Sequence, residues 1–313
     1  MCHLSSKDRI LILALIAALA LFSKPGASAE KPSPKTFASP SEAGAALLAA
    51  AESGDRSALL EIFGPDGAEI LFIQDPEQDR VNRQNFISAY KQMNRWGKIK
   101  AGGQTLYVGA ANYAFPVPLG QNTAGRWSFD TAAGKDELLA RRIGRAELTA
   151  IAACEAIANA QEQYVNQPRD NAKTGQYADK FVSDPGKQDG LYWPVNSGQA
   201  PSPLGQLGDF TKAVASNAID QPVLFNGYYY RILGPAGDPG SEKQTRDFTI
   251  LAYPAEYRSS GIMTFAVGPD GAVYQKDLGE KTRDIALVVT KFKPGEDWSP
   301  VTPRSGTASR TQQ

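Results

Sequence analysis

Histidine and cysteine are nearly missing from this chain. Among its 313 residues there is one histidine, His3, and two cysteines, Cys2 and Cys154. His3 and Cys2 lie in a segment that reads as an export leader. Lys7 and Arg9 precede an unbroken apolar run from Ile10 to Phe22, and Ala27-Ser28-Ala29 offers small residues where a signal peptidase cuts, so cleavage is expected before Glu30. The run is shorter than the roughly 20 apolar residues that span a bilayer, and no later segment is as apolar, so no span is expected after cleavage. The expected location is periplasmic or secreted.

Without that leader no imidazole remains to serve as a base near neutral pH or as a metal ligand. Cys154 has no partner for an internal disulfide, and its apolar neighbours Ile151, Ala153 and Ile157 point to burial as a small hydrophobe. A basic excess is missing too. The whole chain carries 33 basic and 33 acidic side chains; the leader removes Lys7, Arg9 and Lys24 against Asp8, which leaves a net charge of about −2. Nothing in that balance would neutralise phosphates along a nucleic acid, so no nucleic-acid partner is expected. No glycine-rich phosphate cradle and no metal-ligand spacing is visible, so neither a cofactor nor a metal is expected.

What is present reads as an α+β protein of two modules. Residues 30–40 are Pro/Ser/Lys-rich and read as a linker; residues 294–313 read as a disordered tail. Residues 41–133 form the first module. Helices are expected from Ser41, over Ser57 to Phe63, and over Arg80 to Trp96 with Phe86, Tyr90 and Met93 on one face. Strand-like runs follow at Thr105 to Val108, Tyr113 to Leu119 and Arg126 to Asp130, forming a curved antiparallel sheet; Pro116 and Pro118 confine the middle run to an edge. Helices first, a Gly54-Asp55 break and a late Trp127-x-Phe129 strand resemble the nuclear-transport-factor-2-like cone fold. That resemblance implies a pocket inside the cone, here lined by Phe86, Tyr90, Phe115 and Trp127.

Residues 134–293 form the second module. A long helix is expected from a cap at Asp136 to about Asn166, packed on a four-stranded antiparallel sheet: Phe225 to Leu233, Asp247 to Tyr253, Gly261 to Val267 and Ala272 to Lys276. The last two are joined by a Pro269-Asp270-Gly271 turn, and a final helix is expected over Thr282 to Thr290. Ala160-Gln161 with Tyr164, Gly227-Tyr228-Tyr229-Tyr230, and Gly261 to Phe265 leading to Asp270-Gly271 resemble the globular domain of a type IV pilin or pseudopilin. Where pilins carry an apolar assembly segment, however, this helix holds Arg141-Arg142-Ile143-Gly144-Arg145. That run reads as a solvated helical face relieved by Asp136 or Glu137, with an anion site as the alternative.

Across its length the chain resembles domain of unknown function 2950, a family of exported bacterial proteins. The strings that carry this are Phe115 to Leu119, Trp127 to Thr131, Arg141 to Arg145, Pro185 to Pro194, Gly227 to Ile232 and Tyr253 to Gly261. The resemblance implies no activity.

No catalytic residue stands out. Asp75, Glu77, Asp130, Asp189, Glu256 and Asp277 are acids without paired spacing, and Ser259-Ser260-Gly261 lacks a neighbouring base. Asp270 and Asp277 bracket a turn without the oxygen density of a calcium loop. Aromatic groups are more informative. Tyr192 and Trp193 lie in a Pro/Gly-rich loop, while Tyr228 and Tyr230 share one strand face, suiting an envelope protein or polysaccharide partner; closing a sheet core is the other role such rings fill. A non-catalytic binding module is the expected function, with ligand binding or a carboxylate-based hydrolase in the first module as the alternative.

Overall fold

A computed structural model describes residues 33–72, 75–100, 102–167, 175–195, 200–219, 221–234, 247–290, 292–295 and 297–302. The expected leader and the last eleven residues of the expected tail lie outside them. Among the described residues no helix is long and apolar enough to cross a membrane. The fold is α+β with two antiparallel sheets, and the chain divides into two compact units, residues 1–135 and 136–313.

In the first unit, helix α1 (Pro40–Ser53) starts in a capping box. Ser39 Oγ accepts from the Glu42 amide at 3.2 Å, and the Glu42 carboxylate accepts from the Ala38 amide at 2.7 Å. Gly54 ends it in the left-handed region (φ 68°). Asp55 caps α2 (Arg56–Phe63), a short α3 follows (Ala68–Leu71), and Asp75 caps α4 (Pro76–Gln92) by accepting from the Glu77 and Gln78 amides. The expected helix over Arg80 to Trp96 is corrected here. The chain turns extended at Met93, and Asn94–Lys98 becomes strand β1, paired residue for residue with β2 (Gln104–Val108). Five cross-strand pairs outweigh a helical spacing whose last member, Met93, already lies past the helix. The run from Tyr113 to Leu119 splits into β3 (Tyr113–Ala114) and β4 (Leu119–Gln121), with Pro116 and Pro118 in the unpaired stretch between; β5 (Trp127–Phe129) completes the order β1-β2-β4-β5, with β3 on β2. Phe37, inside the expected linker, is buried and exchanges two backbone hydrogen bonds with Trp127.

Helix α5 (Thr131–Asn166) begins one turn before the expected cap. Asp130, not Asp136, accepts from the Ala133 amide at 3.0 Å. In the second unit its Ala150, Cys154 and Ile157 are fully buried against one face of a six-stranded meander. The strands are β6 (Val223–Phe225), β7 (Tyr228–Leu233), β8 (Thr249–Pro254), β9 (Met263–Val267), β10 (Val273–Asp277) and β11 (Ser299–Pro300), in the spatial order β11-β10-β9-β8-β7-β6. Burial pushes the Cys154 thiol far up, so it packs as a hydrophobe. Helix α6 (Asp209–Ala215) places Phe210 and Val214 in the same core. The reverse face packs Leu251, Tyr253 and Ala266 against Ala286 of α7 (Thr282–Val288), with Trp298 beside them. β8 is consequently buried on both faces.

Two corrections concern this sheet. The run from Phe225 to Leu233 is not one strand, because Asn226 (φ 46°) and Gly227 (φ 78°) form a two-residue turn joining β6 to β7. The expected tail also begins later than residue 294, since Ser299 and Pro300 pair with β10.

Candidate functional site

The aromatic residues singled out from sequence belong to the core. Trp193 is 3 % exposed, Tyr228 and Tyr230 are 0 % exposed, and Tyr192 is half-buried against the same cluster. Tyr228 lies 5.9 Å from the Phe265 ring and donates from its hydroxyl to the Met263 carbonyl at 2.9 Å; Tyr230 meets the Phe210 ring edge-on at 5.2 Å. Residue type alone does not separate a buried Tyr face from an offered one, and the covering helix settles it. The partner surface expected there is closed.

In the first unit Phe86, Tyr90, Phe115 and Trp127 fill rather than line a space. Phe86 sits 5.8 Å from Tyr90 and 5.5 Å from Phe115, and all four belong to or pack on the core around Phe63 and Phe129. A cleft of about 470 Å³ does open in this unit, yet its walls include Asp66, Gln121, Asp130 and Lys135 and none of those four. Its polar groups are largely engaged: Asp130 caps α5, Gln121 donates to the Gly125 carbonyl and Lys135 pairs with Glu69 at 2.7 Å.

The other acids hold local structure. Asp75 caps α4, Glu77 grips Arg80, and Asp270 and Asp277 accept from the Ala272 and Gly279 amides of their own turns. Among the described residues no three of His, Cys, Asp and Glu come together as a metal-binding group. Asp189 joins a four-member ion network in the loop before Trp193. Lys180 Nζ lies 2.7 Å from Asp184 and 3.1 Å from Asp189, and Lys187 lies 2.9 Å from Asp184. Hydrogen bonds from Lys180 and Lys187 hold the Asp184 carboxyl down at about 2, against about 3.9 for an unperturbed aspartate. A carboxyl depressed in the folded state stabilises above its unfolded value and stops doing so as pH falls through its folded value. Urea midpoints measured between pH 4.5 and pH 2 should therefore fall more steeply in wild type than in Asp184→Asn, the two converging at the acid end. Parallel curves would assign the network no such role.

Sequence reading missed a cationic cleft in the second unit. It has a volume of about 540 Å³ and is lined by Arg142, Arg145, Ala146 and Thr149 of α5, Asn226 and Gly227 of the β6–β7 turn, and Ser259 and Ser260 of the loop before β9. Arg141 pairs with Glu137 at 2.7 Å, as expected of a relieved helical face. Arg142 and Arg145 enter no ion pair among the described residues; Arg142 Nη2 donates to the Ser259 carbonyl at 3.2 Å. The anion-site alternative weighed from sequence thus gains the geometry it lacked.

The loop walling this cleft is held from several sides. The Ala255 amide donates to the Gly227 carbonyl at 2.9 Å, and the Arg258 amide to the Gly261 carbonyl at 2.8 Å. Ser260 Oγ accepts from the Glu256 amide and donates to the Glu256 carbonyl. From α5, Glu147 Oε1 accepts the Ile262 and Met263 amides at 3.0 Å each. No carboxylate is among the residues that line the cleft beside the arginines. Arg142 and Arg145, Gly227, and Ser259 and Ser260, drawn from three strings far apart in sequence, meet at this one place.

The family model described as Protein of unknown function (DUF2950) matches residues 34–301. The chain belongs to this family. The DUF2950 match runs from before α1 to the last strand, so it covers both units and the whole arginine cleft. Comparison with curated proteins and with solved structures returned no match. The chemistry of this DUF2950 chain is accordingly read from its own residues.

Proposed function

We propose that this DUF2950 protein is an exported cell-envelope protein that acts by binding, and that the arginine cleft holds an anionic ligand. Two guanidiniums without carboxylate partners, facing a preformed loop, carry the reading. Guanidinium is always charged and presents forked donors that suit carboxylates and phosphates. Binding rather than turnover is favoured because Arg, Ser, Thr and Asn supply donors but no group that takes up a proton near neutral pH, and Ser260 is tied to Glu256.

Export rests on Lys7, Arg9, the run from Ile10 to Phe22 and Ala27-Ser28-Ala29. Protein recovered from its host should begin at Glu30; an N-terminus at Met1 in material outside the cytoplasm would contradict cleavage. The cleft is tested by thermal unfolding in a panel of anions at matched ionic strength, with inorganic phosphate and glucuronate as probes. A ligand at 100 times its Kd stabilises by about 2.7 kcal/mol, several degrees in Tm. Wild type should shift, and Arg142→Gln/Arg145→Gln should not. Equal shifts in both proteins would remove the cleft as the site.

A further inference from the structure

The donors left uncommitted in the cleft narrow the anion, an argument that rests on the binding role just proposed. Three groups have no partner claiming them, and a fourth is only partly committed. Arg145 and the Asn226 amide make no side-chain bond among the described residues, nor does the Ser259 hydroxyl, and Arg142 spends one donor on the Ser259 carbonyl. They come from three elements that approach from different sides: α5, the β6–β7 turn and the loop before β9. A carboxylate is planar and carries one charge, so a single guanidinium satisfies it edge to edge. It would leave the second arginine and the donors opposite unused. A phosphate monoester carries close to two charges at neutral pH and three terminal oxygens arranged in space. Two guanidiniums one helical turn apart match its charge, and the Asn226 amide and Ser259 hydroxyl line the same cleft as further donors for its remaining oxygen.

The surrounding charges leave this balance in place. Glu147 accepts two backbone amides, Glu256 is exposed and does not line the cleft, and the Arg258 guanidinium lies over the Tyr257 ring.

Size supplies the second half of the argument. About 540 Å³ lies within the range of roughly 300–1,000 Å³ that takes a small organic molecule, several times what a phosphate group alone fills. Apart from Ala146 and Gly227 the walls are polar, with no aromatic or large aliphatic side chain among them. A sugar, with hydroxyls for the polar groups and C–H faces for Ala146 and the arginine stems, suits these walls as the body attached to the phosphate. We propose that the cleft binds a sugar phosphate monoester, with Arg142 and Arg145 gripping the phosphate and Ser259 and Asn226 orienting it.

Calorimetric titration of the full chain at fixed ionic strength tests this with four probes: glucose 6-phosphate, glucuronate, inorganic phosphate and glucose. Glucose 6-phosphate should bind about tenfold or more tightly than the other two anions, with glucose showing no heat. Arg145→Gln, whose side chain is exposed, should keep the wild-type melting curve without ligand and lose about tenfold or more in affinity for glucose 6-phosphate. Equal affinity for glucuronate and glucose 6-phosphate, abolished together by Arg145→Gln, would overturn the phosphate assignment while leaving an anion site standing. Inorganic phosphate binding as tightly as the ester would overturn the sugar. No anion binding, or binding unchanged in the variant, would overturn both this proposal and the reading beneath it.

Discussion

Replacing Tyr228 by alanine should cost about 3–5 kcal/mol of stability, a large share of the 5–15 kcal/mol that holds an average domain folded. The whole side chain lies inside the second unit, packed on Phe265 and facing the buried stretch of α5 around Cys154. Its removal leaves a cavity and also strips the Met263 carbonyl of the hydroxyl that donates to it. Burial pushes the phenol far above its usual titration range, so the hydroxyl remains a neutral donor at any pH the protein meets. Tyr228→Phe keeps the ring and should lose only about 1 kcal/mol. Urea unfolding followed by circular dichroism separates the two. A Tyr228→Ala protein as stable as wild type would mean that the ring is not a core element, and would reopen the aromatic face as a surface.

The second large effect is expected at Gly261. A Cβ there would sit 2.1 Å from Tyr228 Oη and 2.5 and 2.7 Å from two carbons of its ring. Being fully buried, that ring has nowhere to swing, so Gly261→Ala must push β7 and the loop before β9 apart. Overpacking of this kind costs about 1–3 kcal/mol, and contacts this short place it at the upper end or beyond. The nearest clash is with the hydroxyl oxygen, so Tyr228→Phe should recover part of the loss. A double-mutant cycle should then show coupling of about 0.5 kcal/mol or more. Additive effects would place the strain of Gly261→Ala elsewhere. The same loop walls the arginine cleft, so a stable but displaced Gly261→Ala protein should also bind anions less well.

Parts of this architecture are legible in the sequence because they rest on local chemistry. Ser39 and Glu42 spell a capping box, apolar residues recur along α5 as far as Tyr164, and Pro269-Asp270-Gly271 marks the β9–β10 turn. Other parts are hidden by neighbours. Asn226-Gly227 is a strong hairpin signal, yet the aromatic run behind it reads as one continuous strand. The end of α4 is set by pairing with β2, a partner ten or more residues away. The cleft was the least legible feature. Arg142, Asn226 and Ser259 are ordinary surface residue types with no informative spacing, and only the folding of β7 and β9 beneath α5 brings them together. Tyr228, Tyr230 and Trp193 misled for the opposite reason, since rings that suit a partner suit a core equally well.

The most direct measurement is a crystal structure of the protein grown with saturating glucose 6-phosphate. Phosphate density within hydrogen-bond reach of both Arg142 and Arg145, with the sugar extending along Asn226 and Ser259, is the predicted result. An empty cleft, or the ester ordered elsewhere on the molecule, would contradict it.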